Sequence, residues 1–179
     1  DRAVTRGELA KLALFKGGSG TVELEDARAA VGDSAAFSID DVVYAMGDGD
    51  ARALDRAIER ASFEGVSPVG LVRAAQRHLQ RLHRTAAALA AGDNPKQAMA
   101  ALRPPVFYAV ADRFLAQARR WSKAAVAEAL MLLTEAELDC KSTGLPAQAI
   151  AARALMRAAQ SARVGRGEEA PSAAQPGRP

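Results

Sequence analysis

The sequence predicts an all-α fold, and three observations carry that expectation. Apolar residues make up 49% of the chain but aromatic ones only 4%, with alanine supplying much of the apolar share. Alanine favours helix yet buries little area, so stability must come from closely packed helices; few β-branched and aromatic residues argue against a sheet. Along most of the chain the apolar residues recur three and four apart, punctuated by capping residues, glycines and prolines.

Thr5 and Glu8 have capping-box spacing, and Leu9 and Leu12 share an apolar face that should stop at Gly17–Gly18. A second short helix is expected from Leu24 to Val31, ending at Gly32. These two make a small unit over 1–35, too small to bury its own core. A domain boundary falls near Ser34–Ala36, and a larger helical domain spans 36–160. There Ser38 is placed to cap and Phe37 to staple onto Val42, in a helix ending near Met46. Asp50 caps the next helix, and Ser67–Pro68 opens a long one to about Ala91. Asn94–Pro95 starts a short helix that ends before Pro104–Pro105. A helix over Val106–Arg120 is expected to turn Phe107, Val110 and Phe114 inward. Ser122 caps the helix carrying Val126, Leu130, Leu133 and Ala136, and Leu145–Pro146 leads into the last one. Residues 161–179, rich in Gly, Pro and Ala without apolar periodicity, read as a disordered tail. The start at Asp1 rather than methionine suggests a fragment whose missing functions lie upstream.

The chemistry-bearing residues are few. GGSG at 17–20 lacks a following Lys and follows a helix, so it reads as a helix stop, not a phosphate loop. GDGD at 47–50 lacks a closing Glu, and Arg52 stands at a would-be ligand position, so a turn and cap are expected rather than a calcium loop. His78 and His83 stand five apart, off the spacing by which one helical face offers two ligands. Cys140 has no histidine base nearby in sequence and reads as a partly buried thiol; a single cysteine also fits a reducing compartment. Hence no catalytic, cofactor-binding or metal-ligating residue is assigned. No stretch approaches about 18 continuous apolar residues, so no membrane partner is expected and cytoplasm is the default.

Net charge is +3, a weak signal for polyanions. Its most informative part is a stripe on the long helix, Arg73, Arg77, Arg81 and Arg84. At these spacings the four share one side, open to three readings: solvated face, protein contact or nucleic-acid contact. Arg119, Arg120 and Trp121 form a second candidate docking point, weighed against Trp121 closing the core between two helices.

Taken together, ELAKLALFKG (Glu8, Lys11, Leu12, Leu14, Phe15, Gly17), VELEDARAAVGD (Val22, Glu25, Asp26, Ala27, Gly32, Asp33) and FSIDDVV (Phe37, Ile39, Asp41, Val43) resemble the delta subunit of bacterial DNA polymerase III. QARRWS at 117–122 and ELDCKSTG at 137–144 resemble two later elements of that family. Each motif is weakly specific; their shared order, reaching to about Ala159, is the stronger signal. Departures are Glu23 in place of a Thr or Ser cap, Ala27 in place of Val, and Glu137 in place of an alanine. The resemblance implies a lid-like helical domain followed by a helical collar, in a non-ATPase subunit of the clamp loader. It implies delta-prime and tau/gamma subunits as partners, and primed DNA in the assembled complex. The sliding clamp would be reached through an N-terminal domain not present here. It also implies membership of a DNA-directed DNA polymerase holoenzyme, a nucleotidyltransferase assembly, without an active site in this chain. Arg73, Arg77 and Arg81 are then expected near a subunit boundary or DNA. The alternative is a helical DNA-binding or regulatory interaction module outside replication.

Overall fold

The computed structural model describes residues 38–164, together with Ala10, Ala13, Leu14 and Gly17. Among the described residues there are helices and turns and no strand. Helix α1 spans 38–48; α2 is Ala51–Phe63, α3 Pro68–Ala90, α4 Pro95–Ala100, α5 Ala111–Arg120, α6 Lys123–Lys141 and α7 Ala147–Val164. A single 3-10 turn, Tyr108–Val110, precedes α5. Gly17 sits in a turn, its N–H bonded to Leu14 O, where the first helix is expected to stop. The rest of the expected 1–35 unit, the Phe37 staple and the expected tail from residue 165 lie outside the described residues; residues 161–164 belong to α7.

The helix starts follow local chemistry. Asp50 accepts from the N–H groups of Arg52 and Ala53, Ser67 from Gly70, Asn94 from Gln97 and Ser122 from Ala125. Each satisfies an amide that has no partner within its own helix. Ser38 departs from expectation. It lies inside α1, and its hydroxyl donates to the Glu64 carboxylate at the end of α2 instead of capping. Between α1 and α2 the chain reverses at Gly49, whose φ of +70° suits glycine best.

Helix α3 is the central member. Leu71, Val72, Ala75, Leu79 and Leu82 face inward, and α4, α5, α6 and α7 all pack on it. The pairs Arg73–Glu137 and Gln76–Thr134 run in opposite chain directions, so α6 lies antiparallel to α3. The alanines are spent at these contacts: Ala129, Ala136, Ala151, Ala154, Ala158 and Ala159 are buried where α6 and α7 meet their neighbours. Small side chains let the axes approach, which answers how an aromatic-poor chain fills a core.

A second expectation is overturned. Phe107 does not turn inward on a helix over Val106–Arg120; it is 65% exposed, in extended backbone ahead of the 3-10 turn. Pro104 and Pro105 hold the backbone before them out of helical geometry; after them the chain runs extended to Phe107, makes the 3-10 turn, and the regular helix starts only at Ala111. Phe114, within that helix, is fully buried.

Thr85 is also fully buried, its hydroxyl without a hydrogen-bond partner among the described residues. Thr85→Val should therefore raise stability by about 1 kcal/mol, because it removes an unsatisfied buried group at nearly constant shape. Urea unfolding midpoints would show this, and a clear loss of stability would contradict it.

Candidate functional site

The arginine stripe does not act as one surface. Arg73 turns to α6 and donates to Glu137 at 2.8 Å, while Lys141 reaches the same carboxylate at 2.6 Å. Lys141 first and Arg73 second hold the Glu137 carboxyl down at a pKa of about 2. Arg77, Arg81 and Arg84 instead line a cleft of about 430 Å³ between α1, α3 and the 103–110 segment.

That cleft has a charged wall and an apolar one. Arg103 joins the three α3 arginines, and Ile39, Val43, Val106 and Val110 supply apolar surface. Arg103 donates to Ala100 O at 2.9 Å and Leu102 O at 3.0 Å, and Arg81 is held as well. It donates to Pro104 O at 3.1 Å and lies over the Phe114 ring, 5.4 Å from its centroid, with its Nε buried and unpaired. The Asp40 carboxyl is the acidic member of the lining; burial raises its pKa against the opposing pull of Arg81. Phe107 lines the cleft, and the 83%-exposed Tyr108 stands beside it, ring centroids 4.7 Å apart. Guanidinium groups beside exposed rings suit a ligand with negative charge and flat apolar faces.

Below the cleft, a buried polar network holds α1, α3 and α5 in place. The last carbonyls of α1 need partners from outside that helix. Gln117 Nε2 donates to Tyr44 O at 2.9 Å and to Asp48 Oδ1 at 2.6 Å. Arg120 donates to Asp48 O at 2.7 Å, and Trp121 Nε1 to Gly47 O at 2.9 Å. Gln117 and Arg120 lie on one face of α5 and Trp121 follows as its C-cap, which is how a single short helix closes the end of another. Gly47 is required at this crossing, since a Cβ there would overlap the Gln117 amide. With its nitrogen committed twice, Gln117 accepts through Oε1 from His78 Nε2–H at 2.7 Å. Burial lowers the His78 pKa to about 4 and keeps the ring neutral, with the Gln117 bond opposing that shift. It packs edge-on to Tyr44 and to Phe114.

The second candidate group separates accordingly. Trp121 is buried and closes the core, Arg120 serves the end of α1, and Arg119 alone is exposed. Cys140 is half-buried and donates weakly to Ala147 O at 3.3 Å; burial, then Asp139, raises its pKa. Among the described residues no group of three or more His, Cys, Asp and Glu is arranged to hold a metal ion, and no helix is long and apolar enough to cross a membrane.

Sequence reasoning did not single out Arg103, Phe107 or Tyr108 as site residues. The double proline marks the end of the preceding helix, but no local signal places Phe107 and Tyr108 outside the next one. No protein family, curated protein or solved structure matches this chain.

Proposed function

We propose that this chain is a non-catalytic helical subunit of a DNA polymerase III clamp loader, working in the cytoplasm. Its basic cleft serves as a contact for the single-stranded part of primed DNA. The observation that carries the DNA contact is the convergence of Arg77, Arg81, Arg84 and Arg103 on one cleft that the exposed Phe107 also lines, with exposed Tyr108 beside that ring. Cations track a phosphate backbone, and exposed rings stack on bases without choosing among them. The clamp-loader assignment is supported by the ordered motifs and by a rigid bundle suited to holding neighbours in a ring. Delta-prime and tau/gamma are its partners in this reading, and the sliding clamp is reached through the rest of the subunit.

The test has two parts. Fluorescence anisotropy with an oligo-dT strand of about 20 nucleotides should show salt-dependent binding. Arg77→Glu/Arg84→Glu should weaken it about tenfold or more and flatten the salt slope by about one per lost contact. Phe107→Ala/Tyr108→Ala should weaken binding with little change in that slope. Undiminished binding in both variants would sink the cleft as a nucleic-acid contact. Separately, light scattering after size exclusion should find the chain in a complex with delta-prime and tau/gamma. DNA binding without such a complex would favour the second reading, a helical DNA-binding module outside replication.

A further inference from the structure

The basic cleft contains one group that repels a polyanion. Asp40 is the carboxylate among the described residues that line it. Its side chain is exposed in the free chain, and its carboxyl makes no hydrogen bond or ion pair among the described residues. Arg81 attracts it electrostatically without pairing with it; the Arg81 guanidinium is held instead by Pro104 O and the Phe114 ring. Water satisfies such a carboxylate until a ligand covers it. A ligand that strips the water and returns no donor incurs the desolvation cost of a charged acceptor.

The place of Asp40 in the cleft decides which part of a strand it meets. Ile39, Asp40 and Val43 stand together on the α1 wall, while the α3 wall carries arginines and the 103–110 segment carries Phe107. Phosphates go to the arginines, and a base goes to the ring and the apolar side chains. Asp40 adjoins those apolar side chains, so it faces the edge of a base. A carboxylate accepts from an exocyclic amino group, as from cytosine N4. Uracil and thymine present a carbonyl oxygen at that position, and two acceptors then face each other. We propose that Asp40 makes the cleft selective among single strands, favouring bases with an exocyclic amino group over uracil or thymine. The inference rests on the proposed DNA contact and adds base identity to it. The cleft, about 430 Å³, lies at the small end of the range for ligand pockets, so the discrimination is that of a single base contact.

The experiment compares oligo-dC with oligo-dU, each of about 20 nucleotides, by fluorescence anisotropy at neutral pH and equal ionic strength. The two strands have the same charge and the same ring size and differ at the base edge. Oligo-dC should bind about tenfold tighter. Asp40→Asn, whose amide both donates and accepts, should bring the two affinities within about twofold, chiefly by tightening oligo-dU. Its helical circular dichroism should match the parent, since the side chain is exposed. Equal affinities in the parent chain, or a preference for oligo-dU, would overturn the proposal. A preference for oligo-dC that survives in Asp40→Asn would overturn it as well. So would a gain in that variant equal for both strands, because Asp40 would then act by charge repulsion alone. In each of those results Arg77→Glu/Arg84→Glu still weakens binding, and the DNA contact stands. If that double variant binds both strands as the parent does, or the parent binds neither, the DNA contact fails and the base reading fails with it.

Discussion

Replacing Phe114 with alanine is expected to lower the unfolding free energy by about 4 kcal/mol, within the range for deleting a buried phenyl ring. Phe114 is fully buried on α5, edge-on to His78 with ring centroids 5.7 Å apart and beneath the Arg81 guanidinium. Removing it withdraws dispersion contacts from the crossing of α3 and α5 and leaves a cavity that backbone held by the Gln117 network cannot easily close. The loss should also reach the cleft. Arg81 would lose its ring platform, and its bond to Pro104 O would no longer fix the 103–110 segment as firmly. On the proposed DNA contact, affinity for the oligo-dT strand should then fall although Phe114 does not line the cleft. Urea unfolding together with anisotropy on the folded variant measures both; a stability loss below about 1.5 kcal/mol would mean that the site collapses readily.

The second large effect is a pH dependence centred on His78. Its folded pKa is about 4, against about 6.5 for an unfolded histidine. Above pH 6.5 both states hold it neutral, and it adds no slope. Between about pH 6.5 and 4 the unfolded chain takes up a proton that the folded chain refuses, so stability falls as pH falls. The full loss is on the order of 3 kcal/mol, reached near pH 4 and flat below it. The Glu137 carboxyl, depressed to about 2, acts in a lower window. Its contribution is present above the ordinary carboxylate pKa and is lost as pH drops toward 2. Denaturation midpoints from pH 8 to 4 should show the slope in the parent chain and its disappearance in His78→Gln. A parent profile flat across that interval would contradict a neutral buried His78.

The same residue shows where sequence reasoning stops. His78 could be dismissed as a metal ligand from its distance to His83, because ligand spacing on one helix is a local rule. That it would be buried against Gln117, 39 positions away, was not legible. Likewise QARRWS was readable as a motif, but its physical role was not. Gln117, Arg120 and Trp121 satisfy carbonyls at the end of α1, more than 70 residues earlier in each case.

The helical class and most of the helix punctuation follow from local sequence. Asp50, Ser67, Asn94 and Ser122 cap because a short polar side chain can reach its own following amides. The inward faces of α3 and α6 follow from the 3.6-residue period in the same way. How the arginine stripe divides depends on packing: Arg73 is taken by Glu137, and Arg77, Arg81 and Arg84 turn to a cleft completed by Arg103 and Phe107. Helix formation depends on neighbours a few residues apart, which the sequence states directly. The partner of a charge on a helix surface depends on which distant helix packs beside it, and that is settled only when all the faces are buried together.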